Sequence, residues 1–350
     1  MPKLILLLGL AGCALVVSWL ATPLVIRTCR RHNVLDKPNR RKVHVNGVPR
    51  LGGVALFLAL TVGMVVVLAL DMADLIDLPL ALGHLLPVVY LGLCGFFIIG
   101  FVDDLRSLPA LPRLIGQFAV AFGVVWYSDG LIRISSLFGK YMLADWLAIV
   151  ITVIWIVGIV NTFNWIDGLD GLCAGIGGIS ALAFITLALL KPNQPNALLT
   201  IILGGLLVGA LIGFLIFNFH PAKLFIGDGG AFSLGYLLAV LSVVGLFKQA
   251  AAITFLLPLM ILALPITDTA MAILRRLVAG QPITKPDNHH IHHRILALMS
   301  RAYRSRLPEA QRTALRAELQ VNPAHRSAVL ALYLFAFVFA AVAVIVGVRT

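Results

Sequence analysis

Long apolar runs constrain this chain more than any other feature of its sequence. Runs of about 17 to 25 residues are each long enough to cross a hydrocarbon core of about 30 Å as a helix. The composition agrees, because 60% of the 350 residues are hydrophobic and only 12% are charged, which excludes a soluble globular domain. The sequence predicts an all-α, polytopic integral membrane protein that forms a single domain over residues 1–350, with about ten transmembrane helices. Their approximate spans are 4–26, 51–70, 84–102, 114–127, 146–160, 172–190, 198–217, 231–247, 251–272 and 327–347.

The positive charge of the chain is concentrated in two loops. Basic loops of about 27–50 and 273–326 hold eighteen of the 27 Lys and Arg residues and explain most of the net charge of +12. Such loops stay in the cytoplasm, so both are predicted on the cytoplasmic side and both chain ends on the outside. Topology and anionic lipid account for this charge, and no nucleic-acid-binding motif accompanies it. The four cysteines have no metal-type spacing and indicate no disulfide framework.

The acidic residues fall into groups according to the predicted side of the membrane. One group faces outward and has the pattern of solvated loop residues: Asp71, Asp74, Asp77, Asp129 and Asp145. Another lies at the cytoplasmic ends of the spans and comes from three separate loops: Asp103, Asp104, Asp167, Asp170 and Asp228. Carboxylates at membrane depth are costly unless they are paired or bind a cation. The second group is therefore predicted to form an active site on the cytoplasmic face.

Two of these acids belong to the segment NTFNWIDGLDGL. Asn161, Asn164, Asp167 and Asp170 recur at every third residue, which places them along one polar face at the end of a helix. The structural alternative is that Asp167 caps the next helix. A cap needs one such side chain and not four, so a site is favoured.

The segments FVDDLRSLP and KLFIGDGGAFSLG carry the other acids. Asp103 and Asp104 repel each other, which favours a divalent cation between them and another ligand. Oxygen ligands of this kind suit Mg²⁺. Asp228 stands between two glycines, where little side-chain bulk obstructs a metal or a phosphate. Each segment also has an ordinary reading, because adjacent acids in solvent cost little and Gly-Asp-Gly is a common turn sequence.

A histidine cluster follows in PDNHHIHHRI, at His289, His290, His292 and His293. Histidines at this spacing can share a helical face and bind zinc, but no cysteine or nearby glutamate completes a ligand set. Imidazoles that donate hydrogen bonds to phosphate oxygens fit better, with Lys285, Arg294 and the first basic loop adding positive charge.

Five segments, in order along the chain, resemble the motifs of one enzyme family: DKPNRRKVHVNGVPRLGG, FVDDLRSLP, NTFNWIDGLDGL, FNFHPAKLFIGDGG and HHIHHR. In them the chain is similar to the polyprenyl-phosphate N-acetylhexosamine-1-phosphate transferases of glycosyltransferase family 4, membrane enzymes that start lipid-linked glycan synthesis. The resemblance implies transfer of a sugar phosphate from a UDP-sugar to undecaprenyl phosphate, with release of UMP. It also implies Mg²⁺ as cofactor, with Mn²⁺ as an alternative, and residence in the bacterial cytoplasmic (inner) membrane.

The HIHH form of the last motif resembles the branch of the family that uses UDP-N-acetylglucosamine. Other UDP-amino sugars stay open, as does UDP-MurNAc-pentapeptide, although the branch that uses it usually has three successive histidines. Members of the HIHH branch often carry two spans after this motif, whereas one is predicted here. The side of the C-terminus and the role of residues 301–326, which are amphipathic around 308–320, are therefore open.

The resemblance also implies roles for individual residues. The catalytic residues would be Asp103, Asp104, Asp228, His290, His292 and His293. The metal ligand would be Asp228, assisted by Asp103 and Asp104. The substrate-binding residues would be Asn164, Asp167, Asp170, Asn218, Phe225, Arg113, Arg294 and Lys42, with the Phe225 ring stacked on uracil.

The predicted mechanism is direct in-line attack of the lipid phosphate on the sugar-bearing phosphorus. A covalent phospho-sugar intermediate on an aspartate is the alternative. An ion-coupled secondary transporter is an alternative of a different class, because acids and broken helices also mark ion pathways. The clustering of the acids at one membrane face and the lack of an internal repeat disfavour it. The sequence leaves open whether the chain forms a homodimer.

Overall fold

The protein is helical over most of its length. The computed structural model describes residues 2–36, 47–76, 78–134, 136–137, 141–192, 196–245, 252–281, 290–305 and 324–349. The helices are α1 (Pro2–Arg31), α2 (Gly52–Met72), α3 (Leu80–Arg106), α4 (Ala110–Tyr127), α5 (Asp145–Ile166), α6 (Leu172–Leu190), α7 (Ala197–Asn218), α8 (Gly227–Gly245), α9 (Ala252–Ile261), α10 (Ala263–Val278), α11 (Ile291–Ser305) and α12 (Ala324–Arg349). Two short antiparallel pairs complete the described structure, β1 (Leu35–Asp36) with β2 (Val48–Pro49) and β3 (Ser136–Leu137) with β4 (Tyr141–Met142).

Nine of the described helices are long and apolar enough to cross a membrane, namely α1 to α8 and α12. The prediction of an all-α, polytopic membrane protein is confirmed. Several helices extend beyond the apolar runs that predicted them. The run at 84–102, for example, is part of Leu80–Arg106, so Asp103 and Asp104 lie on the last turn of α3 and not in a loop. Backbone hydrogen bonding thus carries polar side chains to the helix end in a defined orientation.

The predicted span 251–272 is not one continuous helix. Helix α9 ends at Ile261 and α10 begins at Ala263, and neither part alone has the length of a membrane span. Pro265 in the first turn of α10 has no N–H to donate to the carbonyl of Ile261, four residues earlier. The Ser180 hydroxyl on α6 donates to that carbonyl instead, at 3.4 Å. The interrupted pair accounts for the difference between about ten predicted spans and the nine found among the described helices.

Glycines allow α1 to pack closely against α7. Gly205, Gly209 and Gly213 recur at every fourth residue of α7 and therefore share one face. A Cβ atom added at Gly209 would lie 2.0 Å from the carbonyl oxygen of Ala11, and one added at Gly213 would lie 2.5 Å from that of Leu15. Small residues of this kind favour close helix association in a bilayer, where the hydrophobic effect between helices is absent.

Helix α8 lies at the centre of the bundle and is in contact with α2, α3 and α5. Its first turn is held by two close backbone approaches. A Cβ atom added at Gly53 of α2 would lie 2.2 Å from the nitrogen of Gly230, and one added at Gly100 of α3 would lie 2.5 Å from the carbonyl oxygen of Asp228. The turn that carries Asp228 is therefore locked between the backbones of two other helices.

The connections between the helices gather at two ends of the bundle. We call one of them the site end, where α3, α5 and α7 finish, α4, α6 and α8 begin, and the connections 107–109, 167–171 and 219–226 meet. The other is the opposite end, where the described parts of the connections after α2, α4 and α6 lie. The motifs of the sequence fall on the site end.

Candidate active site

Asp104 of α3 holds the beginning of α8. Its Oδ1 accepts a hydrogen bond from the backbone N–H of Asp228 and its Oδ2 accepts one from Gly229, both at 3.0 Å. The first N–H groups of a helix have no partner within the helix and carry partial positive charge, so a buried carboxylate is stabilised there. Arg50 adds a full positive charge, with its Nε 3.5 Å from Asp104 Oδ1. Asp104 therefore fixes the backbone that presents Asp228.

Gly227 explains why the Gly-Asp-Gly sequence is needed at this turn. Its φ of +70° lies in the left-handed region that favours glycine. A Cβ atom there would also lie 2.2 Å from the carbonyl oxygen of Arg50 and 2.6 Å from Asp104 Oδ2. The turn is thus built around a close approach of backbone and carboxylate, and is not an ordinary loop turn.

Asp103 has different partners from its neighbour Asp104. Its Oδ2 pairs with Arg113 Nη1 on α4 at 2.5 Å, and its Oδ1 accepts a hydrogen bond from the backbone N–H of Leu108 at 2.6 Å. Arg113, predicted to bind substrate, is therefore engaged in an ion pair that joins α3 to α4. Each of the two adjacent acids thus has its own arginine and its own backbone donors.

Asp228 lies at the meeting point of three helices. Asn164 Nδ2 on α5 donates a hydrogen bond to Asp228 Oδ1. The carboxyl groups of Asp228 and Asp103 contact each other. Two carboxylates in contact repel unless a proton or a cation lies between them. Asp228 is thus the residue where a cation would relieve the largest local repulsion.

Asp167 follows the last residue of α5 and brings a further carboxylate to this point. Its side chain is half-buried. Burial raises the pKa of the Asp167 carboxyl well above its ordinary value, and the charge of Asp228 raises it further, followed by the charges of Asp104 and Asp170. The exposed residue next to it is Gly168, which leaves the approach from solvent open.

The donor atoms at the site end fit Mg²⁺. Asp228, Asp103 and Asp167 supply carboxylate oxygens, and Asn164 supplies an amide that orients one of them. Oxygen ligands with one or two carboxylates are the set that Mg²⁺ uses together with substrate phosphates.

Asp170 and Asn218, both predicted to bind substrate, make hydrogen bonds within the protein. Asp170 is buried, and its Oδ2 lies 2.6 Å from His220 Nδ1 and accepts a hydrogen bond from the N–H of Ala222. Asn218 Oδ1 accepts from the N–H of Gly171, and its Nδ2 donates to the carbonyl of Leu224. These contacts shape the loops 167–171 and 219–226.

The remaining predicted residues lie in varied surroundings. Phe225 is half-buried, and its backbone N–H donates to the carbonyl of Pro49, which ties the residue to β2. Arg294 is exposed on the first turn of α11. Lys42, together with His289, Lys285 and the stretch 308–320, lies outside the described residues.

The histidine motif is organised by an acid that the sequence analysis did not assign to the site. Asp268 of α10 is buried, with its Oδ2 3.0 Å from His292 Nδ1 and 3.2 Å from His290 Nδ1. The half-buried ring of His293 lies against that of His292. Asp268 was the only acid within the predicted span 251–272, and an ionisable group in an apolar run is the signal that could have identified it.

Comparison with known proteins gives consistent matches. Residues 86–246 match the family described as "Glycosyl transferase family 4". The chain is 34% identical, over 96% of its length and 84% of the relative, to a protein of Bacillus subtilis (strain 168) named "Probable undecaprenyl-phosphate N-acetylglucosaminyl 1-phosphate transferase". It is 33% identical, over 95% of its length and 80% of the relative, to the "Decaprenyl-phosphate N-acetylglucosaminephosphotransferase" of Mycolicibacterium smegmatis. A "Phospho-N-acetylmuramoyl-pentapeptide-transferase" of Bacillus mycoides is 27% identical, over 69% of the chain and 76% of the relative.

Proposed function

Because the chain belongs to glycosyl transferase family 4, we propose that it transfers N-acetylglucosamine-1-phosphate from UDP-N-acetylglucosamine to undecaprenyl phosphate and releases UMP. The relatives named for the N-acetylglucosamine reaction match more of the chain, at higher identity, than the one named for the muramoyl-pentapeptide reaction. The observation that carries the proposal is the convergence of Asp103, Asp104 and Asp228, with Asp167 beside them, at one end of a membrane-spanning bundle.

The two substrates explain the location of this convergence. The nucleotide sugar is soluble in water, whereas the polyprenyl chain of the acceptor is too apolar to leave the bilayer. The reaction therefore belongs where the cytoplasm meets the lipid. Arg50, in the described part of the basic loop of about 27–50, lies at the site end. Positively charged loops stay in the cytoplasm, so we assign the site end to the cytoplasmic face of the inner membrane.

Charge repulsion is the main barrier that the residues must lower. A phosphomonoester has a second pKa near about 6, so the acceptor phosphate is mostly dianionic at pH 7 and needs little help to become a nucleophile. Both substrates are anions, and they must be brought together in line before an acceptor oxygen attacks the sugar-bearing phosphorus. We assign direct attack to this site.

The other residues of the site have separate roles. Asp228, with Asp103 and Asp167 beside it, would hold Mg²⁺, which when bound neutralises charge on the diphosphate and on the departing UMP. Asp104 keeps the first turn of α8 rigid beneath Asp228. Arg50 and Arg113 limit the negative charge that the acids impose on incoming phosphates.

The test is UMP release by the purified full-length protein in lipid nanodiscs that contain undecaprenyl phosphate. UMP and a lipid-linked sugar diphosphate are expected in equal amounts from UDP-N-acetylglucosamine, only when both the lipid phosphate and a divalent cation are present. UDP-N-acetylgalactosamine and UDP-MurNAc-pentapeptide serve as comparison donors. Faster turnover of either comparison donor would reassign the sugar, and continued UMP release over many turnovers without acceptor would refute the transfer reaction.

The route is tested separately in a single turnover without acceptor. Direct attack predicts that no phospho-sugar becomes attached to the protein, because the nucleophile is missing. Mass spectrometry of intact protein after incubation with UDP-N-acetylglucosamine checks this. A mass increase equal to the sugar phosphate, mapped to an aspartate, would establish the covalent route instead.

A further inference from the structure

Asp268 makes three contacts with the histidine motif, across a gap of more than twenty residues in the chain. Its Oδ1 accepts a hydrogen bond from the backbone N–H of Ile291 at 2.6 Å. Its Oδ2 lies 3.0 Å from His292 Nδ1 and 3.2 Å from His290 Nδ1. The carboxylate therefore fixes both the first turn of α11 and the rings that this turn carries.

These contacts determine which nitrogen of His292 faces away from Asp268. An ionised carboxylate only accepts hydrogen bonds, so His292 Nδ1 must carry the hydrogen between them. His292 Nε2 is then the atom presented on the other side of the ring. The residue is 2% exposed, and Nε2 has no hydrogen-bond partner among the described residues. A buried polar atom without a partner is costly, which points to a ligand that supplies one.

The orientation of the ring places Nε2 at the loop that carries Asp167. A Cβ atom added at Gly168 would lie 2.3 Å from His292 Nε2, so only a glycine leaves room for the nitrogen there. The nitrogen thus reaches the residue next to Asp167.

We propose that Asp268 is a positioning residue that holds His292 so that its Nε2 meets a phosphate oxygen of the nucleotide sugar beside Gly168. A carboxylate on one imidazole nitrogen fixes the orientation of the ring, and an N–H on the other nitrogen donates to an anionic oxygen. Asp268 acts only through His292 and does not touch substrate. This inference rests on the proposed function, since it names how the donor diphosphate is held.

A double-mutant cycle tests the coupling between Asp268 and His292. The variants are Asp268→Asn, His292→Gln and the double variant, in the full chain, with kcat and KM for UDP-N-acetylglucosamine measured for each. Asp268→Asn is expected to lower kcat/KM by about 10- to 100-fold, as is usual for partners that orient a functional histidine. Because Asp268 acts through His292, the double variant should be no slower than His292→Gln alone. If the kcat/KM losses of the two single variants multiply in the double variant, the proposal is wrong.

Two further variants separate positioning from general stability. Asp268→Glu keeps the charge, so it should recover part of the activity that Asp268→Asn loses. Asp170→Asn removes an equally buried Asp–His pair, Asp170 with His220 Nδ1 at 2.6 Å, and serves as the matched control. Both asparagine variants are expected to melt at lower temperature. The factor by which Asp170→Asn lowers kcat/KM should, however, multiply with the factor for His292→Gln in the double variant. If the kcat/KM losses are non-additive to the same extent in the Asp268–His292 cycle and in the Asp170–His292 cycle, the cause is a shared folding defect and the proposal is wrong.

Ligand binding tests the same coupling without catalysis. Calorimetric binding of UDP to the four proteins should show the same coupling between Asp268 and His292. If UDP binding shows this coupling but the protein releases no UMP, the proposed function is wrong and the present inference still holds.

The side chains of Asp268, His290 and His292 could also form a metal site, as their ligand atoms lie within 4.8 Å of one another. Zinc bound in an equimolar amount and lost in Asp268→Asn, measured by elemental analysis, would overturn the phosphate assignment.

Discussion

The two ends of the helical bundle carry acids in very different surroundings. At the site end, Asp103 and Asp104 are buried, and each is bound by backbone N–H groups and an arginine. At the opposite end, the side chain of Asp129 is 80% exposed and lies 3.9 Å from His84, and that of Asp145 is 90% exposed and pairs with Arg133 at 2.9 Å. Both ends contain aspartates, but those at the site end are buried and those at the opposite end are exposed to solvent.

The difference indicates what each group of acids can do. Exposed ion pairs contribute about 0 to 1 kcal/mol because water already solvates both partners. Buried carboxylates lose that solvation, and the protein must replace it with donors and counter-charges. At the site end the replacement is incomplete where Asp228 and Asp103 meet, which leaves a local repulsion for a cation and substrates to relieve. The following predictions, in order of decreasing effect, examine this contrast.

Asp228→Asn should cause the largest loss of activity. The substitution keeps the size of the side chain and removes the charge that we propose binds the cation. That charge would contribute several kcal/mol to the transition state, so kcat should fall by at least about 10³-fold. Helix α8 is held by Asp104 and by packing, so the melting temperature should change little. UMP release and a thermal melt of the same preparation check both halves. A variant with more than a tenth of wild-type kcat would remove the assignment of Asp228.

Asp104→Asn should reduce both activity and stability. An amide has only one oxygen, so it can accept from Asp228 N–H or from Gly229 N–H, and the other buried donor loses its partner. An unpaired buried donor costs about 1 to 3 kcal/mol. Chemical unfolding and UMP release should therefore both change, in contrast to Asp228→Asn. An unchanged unfolding midpoint would show that Asp104 does not hold α8.

Asp167 makes the stability of cation-free protein depend on pH. Its pKa is raised in the folded state, so the folded protein retains a proton that the unfolded chain releases above its ordinary pKa of about 3.9. The stabilisation that Asp167 contributes to the folded state is complete below about pH 3.9 and is lost as the pH rises through the pKa of the folded state. With EDTA present, the melting temperature should fall as the pH rises from 5, and less steeply in Asp167→Asn. Identical slopes for the two proteins would contradict the assigned environment.

Tyr333→Phe should have a modest effect on stability. The Tyr333 hydroxyl on α12 donates to the carbonyl of Gly171, in the loop that follows Asp167. Loss of one such bond costs about 1 kcal/mol, and the retained ring keeps its packing against Gly175. A melting temperature lower by a few degrees is expected, with KM for the donor nearly unchanged. A large rise in KM would mean that α12 affects the site directly.

Asp145→Asn should have almost no effect and completes the contrast. It removes an exposed acid of the same type from the opposite end, where its pair with Arg133 is worth about 0 to 1 kcal/mol. Activity and melting temperature should both stay close to wild type. A loss of activity comparable to that of Asp228→Asn would end the distinction between the two ends.

Much of this arrangement could be predicted from sequence, because membrane helices follow from apolar runs and helix direction alternates. That logic places Asp103, Asp104, Asp167 and Asp228 at one end of the bundle. It could not show that Asp104 caps α8, because the apolar run ends before the last turn of α3.

Contacts between distant residues were harder to predict. Asp170 and His220 are 50 positions apart and pair within a loop cluster, a contact that the spacing of Asp170 from Asn164 and Asp167 could not show. Asp268 was overlooked as a partner of the histidines because its helix was predicted as an unbroken span. The interruption after Ile261, caused by Pro265, was visible only as two prolines in an apolar run.

Cation binding tests the central claim most directly. Mn²⁺ is paramagnetic and can replace Mg²⁺ at oxygen ligands, so electron paramagnetic resonance can count the ions bound by purified protein in the presence of UDP-N-acetylglucosamine. We predict one tightly bound ion in the wild type and in Asp145→Asn, and none in Asp228→Asn. Equal binding by all three proteins would contradict the claim that the acids at the site end together hold a divalent cation.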